Sequence, residues 1–224
     1  MINFFENSGV NQIVIVNPDN PSGNYIPKAD LLRLVEWTKG KGMKLVIDES
    51  FVDFADEEDS TLIDLDILVA NPHLYVMKSI SKSYGVPGLR LGVLASGDVV
   101  TIALMKKDVA IWNINSFAEF YMQIEEKYSK YYGEALVKIR AERARFAALL
   151  GSIEGLRVIP SQANFIMCEL EKAQPKDLMK ALLFKHHILI KDLSEKTGGK
   201  YIRIAVRDTG DNDMLVRALR EELG

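Results

Sequence analysis

Four short apolar runs in the first half of the chain predict β-strands. They cover residues 13–16, 44–47, 74–77 and 89–95. The first run is fully apolar, which is typical of a strand covered on both faces in a parallel sheet. Between the first two runs, residues 27–40 place leucines at helical spacing beside charged side chains, which predicts an amphipathic helix. A strand–helix–strand unit of this length indicates a right-handed parallel crossover. The link before the fourth run is too short for a crossover helix, so we expect that strand to be antiparallel.

The pattern changes in the second half of the chain. Helical spacing continues over about 116–150, with an expected break near Tyr132 and Gly133. Beyond Gly151, helices are predicted over 175–186 and 211–223, the latter with Asp211 as its N-cap. Further strands are predicted over 156–159, 164–170, 188–190 and 201–206. Residues 62–70 are predicted to form a short helix or a connecting turn, 98–107 a helix, and 197–199 a hairpin-type turn.

These elements predict an α/β chain in three parts. We expect residues 1–115 to form part of a large domain, 116–150 a connecting helix, and 151–224 a small C-terminal α+β domain. The large domain should hold a mostly parallel sheet with one antiparallel strand. The first apolar run follows only a short polar entry, with nothing before it to supply a neighbouring strand. We therefore expect an N-terminal truncation inside this domain.

Composition narrows the class of protein. The 224 residues are 48% hydrophobic and 26% charged with a net charge of −3, which is ordinary for a soluble globular chain and gives no case for nucleic acid or a membrane surface. Neither a membrane-length apolar segment nor a signal-peptide pattern is present, so the default location is cytoplasmic. Cys168 lies in an apolar run, which indicates a buried structural thiol. The three histidines show no metal-ligand spacing, and no metal site is expected.

Polar residues follow three successive predicted strands. Asn20 lies in a rigid turn, rich in proline, after the first, Asp48 ends the second, and Lys82 follows the third. Taken singly, they could be a turn residue, a solvated carboxylate and a surface lysine. In a parallel sheet, however, these strand ends are neighbours, and open α/β sheets bind ligands there.

The stretch around Lys82 adds an anion-binding pattern. Ser79 and Ser81 precede the lysine and Arg90 follows a Gly/Pro-rich link, so hydroxyls and a guanidinium could hold a phosphate. Together, the amine, the carboxylate, the amide and this cradle meet the needs of pyridoxal phosphate: covalent attachment, a partner for the ring nitrogen, a donor at the ring oxygen and a phosphate site.

Five motifs make the chain resemble the class I/II pyridoxal-phosphate-dependent aminotransferases of fold type I. The resemblance is closest to the branch that contains histidinol-phosphate aminotransferase and threonine-phosphate decarboxylase. The motifs are Asn17-Pro-Asp-Asn-Pro-Ser-Gly23, Val46-Ile-Asp-Glu-Ser-Phe-Val-Asp-Phe54, Ser79-Ile-Ser-Lys-Ser-Tyr-Gly-Val-Pro-Gly-Leu-Arg-Leu-Gly92, Ala163-Asn-Phe-Ile166 and Tyr201-Ile-Arg-Ile-Ala-Val-Arg207.

The resemblance implies a role for each candidate residue. It implies Lys82 as the Schiff-base lysine that transfers protons, Asp48 as the partner of the ring nitrogen, and Asn20 at the ring oxygen. It further implies the cofactor phosphate as the ligand of Ser79, Ser81 and Arg90. Arg203 would bind the substrate α-carboxylate with bidentate geometry, and Asn164 would be its companion in the substrate pocket.

Two departures leave the reaction open. This branch commonly has a tyrosine where the chain has Phe51, and the region that precedes these motifs in family members is absent. The first hypothesis is an aminotransferase that uses a small amino acid, with or without a phosphate group, and a keto acid, and works as a homodimer. The alternatives are a decarboxylase of the threonine-phosphate type and a non-catalytic interaction or dimerisation remnant.

Overall fold

The computed structural model describes residues 1–224 and divides them between two units. The first comprises Met1–Pro18 and Tyr25–Gly133, and the second comprises Asp19–Asn24 and Glu134–Gly224. The division lies inside the predicted connecting helix, and the turn after the first strand belongs with the C-terminal unit. The predicted domain bounds of 1–115, 116–150 and 151–224 stay a prediction.

The first unit is built on a four-stranded sheet in the order β1-β2-β3-β4. Its strands are β1 (Gln12–Val16), β2 (Lys44–Asp48), β3 (Leu74–Lys78) and β4 (Val93–Ser96). The first three are parallel and β4 pairs antiparallel with β3, which confirms the predicted sheet. The fourth strand begins later than predicted, because 87–89 form a 3₁₀ turn and Arg90 adopts a left-handed conformation with φ 57°.

Six helices belong to this unit. They are α1 (Ile2–Phe5), α2 (Lys28–Gly40), α3 (Leu65–Ala70), α4 (Ile80–Ser83), α5 (Val99–Asp108) and α6 (Ser116–Ile124). The predicted crossover helix is α2, which buries Leu31, Leu34 and Val35 against Leu45 and Ile47. None of the helices in the chain has the length and apolar composition needed to span a membrane.

The connecting helix is interrupted earlier than the sequence suggested. A 3₁₀ turn over Glu125–Tyr128 separates α6 from α7 (Ser129–Gly151). The predicted break near Tyr132 and Gly133 is wrong, because α7 continues through both residues. A single glycine within a helix costs only ~1 kcal/mol relative to alanine, which a long helix tolerates.

The second unit is an antiparallel sheet covered by helices. Its strands run in the order β5-β6-β8-β7 and comprise β5 (Leu156–Ile159), β6 (Phe165–Leu170), β7 (Lys191–Asp192) and β8 (Tyr201–Ala205). The helices are α8 (Pro175–His186), α9 (Ser194–Thr197) and α10 (Thr209–Leu223). The core contains Phe146, Leu150, Leu182, Ile202 and the buried Cys168, whose thiol pKa burial raises to about 12.

Three local predictions for this unit were wrong. The short strand lies at 191–192 rather than 188–190, because only those residues pair with β8. Residues 194–197 form one helical turn that ends at a left-handed Gly198, where a hairpin turn was expected. The N-cap of α10 is Asp208, whose side chain accepts from Asp211 N; Asp211 itself lies in the first helical turn.

Gly23 anchors the loop over Asp19–Asn24 within the second unit. Its carbonyl accepts from Gln162 N at 2.8 Å, and its φ of +74° lies in the left-handed region. A Cβ at this position would lie 2.0 Å from Ser161 Oγ. That hydroxyl cannot move freely, because it donates to Phe165 O and accepts from Ala163 N.

We predict that Gly23→Ala destabilises the protein more than Gly42→Ala. Both glycines have positive φ, but a Cβ at Gly42 meets nothing within 4 Å. Backbone strain alone should cost about 1 kcal/mol for Gly42→Ala, and the added clash should bring Gly23→Ala to about 3 kcal/mol. Urea denaturation measures both. Equal losses would contradict the proposed contact with Ser161.

Candidate active site

Asp48 lies at the edge of the first unit where three parallel strands end. It is the last residue of β2, in register with Val16 of β1 and Met77 of β3. Its Oδ1 accepts two bonds, from Ser50 N at 2.9 Å and from Ser50 Oγ at 2.5 Å. The predicted meeting of strand ends therefore holds in this unit, and the carboxylate there is held in one orientation.

Lys82 follows β3 on the short helix α4. Its side chain is exposed, and Nζ lies 4.5 Å from the centre of the Phe51 ring. This is the geometry of a cation over an aromatic face. The amine has no carboxylate partner within ion-pair distance, which suits a group that must react as a nucleophile.

A pocket beside α4 brings Ser79 and Arg90 together. Its volume is about 420 Å³, and its lining residues are Ser50, Met77, Lys78, Ser79, Arg90, Leu91, Gly92, Val93 and Leu94. Ser79 N donates to Ser50 Oγ at 3.1 Å, while Arg90 is exposed and donates only to Pro87 O at 3.3 Å. The Ser79 hydroxyl and the guanidinium are thus available to an anion in this pocket.

Ser81 is placed differently from its neighbours. It is 3% exposed, and its Oγ accepts from Leu91 N at 2.8 Å and donates to Leu91 O at 3.3 Å. These bonds tie α4 to the segment that precedes β4. The hydroxyl therefore has a structural function in this conformation, and its predicted contact with a phosphate stays a prediction.

The second unit contains the other three candidates, Arg203, Asn20 and Asn164. Arg203 Nη1, on β8, donates to Asn20 Oδ1 at 2.5 Å, and its Cζ lies 4.9 Å from the Phe165 ring centre. Burial lowers the pKa of Arg203, although an arginine stays charged at neutral pH. Asn164 lies before β6, where its carbonyl accepts from Val206 N at 2.9 Å. Its side chain makes no hydrogen bond, so the predicted substrate role stays a prediction.

Sequence reasoning missed a polar cluster near β3. Lys78 Nζ and Asp53 Oδ1 form an ion pair at 2.5 Å in which both side chains are 16% exposed. Tyr132 donates to Asp53 Oδ2 at 2.8 Å and stacks on Tyr84 at 4.1 Å between ring centres. Tyr132 is 79 positions from Asp53, so only the acidic residue within the Val46–Phe54 motif could have pointed to this contact.

Glu49, directly after Asp48, is a second missed residue. It is fully buried, where Oε2 accepts from Thr61 Oγ1 at 2.5 Å and Oε1 accepts from Leu62 N at 2.7 Å. Burial raises the pKa of this carboxyl above its ordinary value of 4.5, although the bonds from Thr61 and Leu62 act in the opposite direction. The sequence signal for this burial was the apolar run before Glu49, because a residue that continues a buried strand is expected to be buried as well.

One acidic cluster lies away from these residues. The ligand atoms of His186, Glu221 and Glu222 lie within 4.8 Å of one another, an arrangement that sequence spacing did not show because α8 and α10 are far apart in the chain. Lys185 Nζ is 2.9 Å from Glu222 and His186 Nε2 is 3.0 Å from it. With an ammonium already on the carboxylate, the cluster is an ion-pair network between two helices.

The donor set of the first unit fits pyridoxal phosphate. The residues offer a primary amine at Lys82, a carboxylate at Asp48 with one oxygen unbonded, and an anion pocket at Ser79 and Arg90. Asn20, in the second unit, uses Oδ1 for Arg203 and leaves its NH₂ group to donate. Within the first unit, covalent attachment, the ring nitrogen and the phosphate each have a candidate group.

Comparison with known proteins gives a consistent result. A sequence model described as "Aminotransferase class I and II" matches residues 5–219. CMP-5'-(3-aminopropyl)phosphonate synthase of Streptomyces rubellomurinus is 34% identical over 99% of this chain and 35% of its own length. L-serine phosphate decarboxylase of Sulfurospirillum multivorans is 32% identical, over 98% of this chain and 57% of its own. Histidinol-phosphate aminotransferase of Caldanaerobacter subterraneus is also 32% identical, over 94% of this chain and 57% of its own length.

Solved structures share the fold. A decarboxylase from Sulfurospirillum multivorans superposes with a TM-score of 0.88 at 32% identity, covering 99% of this chain and 64% of its own. Histidinol-phosphate aminotransferase from Clostridium acetobutylicum gives a TM-score of 0.89 at 29% identity, covering 99% of this chain and 66% of its own. These structures confirm the predicted fold type I. The chain spans 64–66% of the length of these two structures and 35–57% of the length of the three sequence relatives.

We predict that Glu49→Gln changes how stability depends on pH. Because the pKa of Glu49 is raised by folding, its contribution to stability is complete below about pH 4.5 and is lost as the pH rises through the folded-state pKa. Glutamine keeps the acceptor for Leu62 N and can donate to Thr61, but it does not ionise. Wild-type stability should therefore fall relative to the variant as the pH rises, measured by urea denaturation at several pH values. Parallel pH profiles would rule this out.

Proposed function

Because the chain belongs to the class I and II aminotransferase family, we propose that it carries the catalytic residues of a pyridoxal-phosphate-dependent aminotransferase acting on a small amino acid. Pyridoxal 5'-phosphate is the cofactor of this family. When bound, it withdraws electrons from the α-carbon of the amino acid. The proposal concerns the activity of the whole protein.

The first unit supplies the groups that would hold the cofactor. Lys82 is the amine for covalent attachment, and once released by substrate it can move the α-proton. Asp48 would keep the ring nitrogen protonated, since its carboxylate stands at the sheet edge with Oδ2 unbonded. Ser79 and Arg90 would bind the phosphate through a hydroxyl and a guanidinium.

The bond between Arg203 and Asn20 carries the proposal of transamination. A guanidinium fixed by this 2.5 Å bond and by the Phe165 ring is preorganised for bidentate binding of a carboxylate. Transamination breaks the bond between the α-carbon and its hydrogen. The carboxylate on the same carbon must therefore be held so that the C–H bond, and not the C–C bond to the carboxylate, is aligned for cleavage. The clamp and the residue proposed for the ring oxygen are one bonded pair, which supports such control.

Phe51 favours a second candidate, decarboxylation. Its ring lies under the Lys82 amine and cannot donate to a ring oxygen, unlike the tyrosine common at this position in aminotransferases of the branch. Relatives named as decarboxylases of serine phosphate and threonine phosphate are 30–32% identical to the chain. For CO₂ to be lost, the bond from the α-carbon to the carboxylate, rather than the C–H bond, would have to be the one aligned for cleavage.

The names of the relatives also bear on the substrate. Serine phosphate, threonine phosphate, histidinol phosphate and an aminopropylphosphonate each carry a phosphorus oxyanion. We therefore favour an amino acid with a terminal phosphate or phosphonate as substrate. A keto acid co-substrate, a homodimeric assembly and a cytoplasmic location belong to the same proposal. A non-catalytic remnant is disfavoured because Asn20, Asp48, Lys82, Arg90 and Arg203 are all present.

We predict that Lys82 becomes covalently labelled when the full-length protein is incubated with pyridoxal phosphate and reduced with borohydride. Peptide mass mapping should place the label on the peptide containing Lys82, because its amine is exposed and without an ion-pair partner. Lys82→Ala should abolish that label. Lys41→Ala, in the turn before β2 at the other end of the sheet, should leave it unchanged. An unlabelled Lys82 would reject the enzyme hypothesis in favour of a remnant.

The two reactions are separated by their products. With threonine phosphate or serine phosphate as substrate, we expect keto-acid-dependent transfer of the amino group without release of CO₂, because the Arg203 clamp holds the carboxylate. Coupled assays for the new amino acid and for CO₂ measure both outcomes in one sample. Stoichiometric CO₂ without amino transfer would establish the decarboxylase candidate instead.

A further inference from the structure

Ser50 links two parts of the candidate cofactor site in the first unit. Its Oγ donates to Asp48 Oδ1 at 2.5 Å and accepts from Ser79 N at 3.1 Å. Its own N–H donates to the same Asp48 oxygen at 2.9 Å. A single side chain thus connects the end of β2 with the residue that opens the α4 segment.

The direction of these bonds is determined by their chemistry. A backbone N–H can only donate, so Ser79 N–H must point to Ser50 Oγ, and the serine hydrogen is left for the carboxylate. Ser50 is 5% exposed, so water competes little for these positions. Donors that are themselves polarised by a second hydrogen bond bind more strongly.

The arrangement differentiates the two oxygens of Asp48. Oδ1 receives both bonds from Ser50, whereas Oδ2 accepts no hydrogen bond from the protein. We propose that Ser50 is a positioning residue, which fixes the carboxylate so that Oδ2 is presented to the cofactor ring nitrogen. This inference rests on the proposed function, since it assigns Asp48 to that nitrogen.

The same chain of bonds couples the ring site to the phosphate site. Ser50 and Ser79 both line the pocket of about 420 Å³ that also contains Arg90. A shift of Ser79 on binding an anion would be transmitted through Ser50 to the carboxylate. The simpler explanation is a local turn, because an aspartate side chain often bonds the backbone two residues on. That explanation accounts for the Ser50 N–H bond but not for Ser79.

The test compares Ser50→Ala with Ser50→Thr and Ser60→Ala in the full-length protein. Ser60 is also buried, 7% exposed, and its hydroxyl bonds only Val52 O, so it reports what losing a buried serine does to the fold. The measurements are the dissociation constant for pyridoxal phosphate, the visible circular dichroism of the bound cofactor, and the urea midpoint.

We expect Ser50→Ala to raise the dissociation constant about tenfold, the effect of losing one hydrogen bond to a charged group, and to change the visible circular dichroism. Ser50→Thr should restore both, because it keeps the hydroxyl. Ser60→Ala should lower the urea midpoint without altering either cofactor measurement. Should Ser50→Ala not fold, Ser50→Cys keeps the volume, weakens the donor, and is compared in the same way.

Two results would overturn this inference while leaving the proposed function intact. One is a Ser50→Ala protein that binds cofactor with wild-type affinity and dichroism. The other is a Ser60→Ala protein with the same cofactor defects, which would show that only general packing is involved. If the wild-type protein itself fails to bind the cofactor, the proposed function and this inference fall together.

Discussion

The parallel register of β1, β2 and β3 is the constraint on which the candidate site of the first unit depends. Parallel strands end at the same edge of a sheet, and the pairing of Val16, Asp48 and Met77 puts three chain segments there. Residues that follow these strands, Lys82 among them, then begin from fixed positions. Their backbone groups have left the ladder of the sheet, so polar side chains such as Ser50 take over their hydrogen bonding. A site built in this way is positioned by the scaffold and completed by the loops.

Most of the scaffold could be predicted because it depends on hydrophobic periodicity. The strands of the parallel sheet, the crossover helix α2 and the helix α8 were predicted from the pattern of apolar residues in the sequence. The antiparallel direction of β4 was predicted from the length of the link before it. The errors concern features that periodicity does not encode. Whether a helix breaks at Gly133 or at the preceding 3₁₀ turn depends on tertiary packing, and Asp208 and Asp211 have equal intrinsic merit as N-caps. Residues 188–190 have strand composition, but a strand exists only where a partner pairs with it.

The sequence indicated which residues belong to the candidate site better than it indicated which residues contact one another. Chain order and spacing placed Asp48 at the end of β2 and Lys82 beyond β3, as observed, and motif resemblance pointed to Arg203. The bond from Arg203 to Asn20 joins residues 183 positions apart, and no pattern within either segment requires it. The opposite problem arises at Ser81, where a residue of the right type is bonded to the Leu91 backbone. Glu49 and Ser50 directly follow the predicted Asp48, but their hydrogen-bond partners are visible only in the structure.

Relatives with different reactions share one fold, so the fold alone does not determine which reaction is catalysed. Aminotransferases and decarboxylases resemble the chain to nearly the same degree, at about 30% identity, so fold and cofactor chemistry are common to both. An electron sink activates every bond to the α-carbon and does not select among them. Selection must then come from groups that orient the substrate, and the chain offers two that differ in kind. Arg203 is a guanidinium held by Asn20 and the Phe165 ring, to which the proposed function assigns the substrate carboxylate. Phe51 contacts the Lys82 amine through its ring and has no hydrogen-bond donor. Under the proposed function, the choice between transamination and decarboxylation would depend on how the substrate is oriented, and these two side chains are the first to test by substitution.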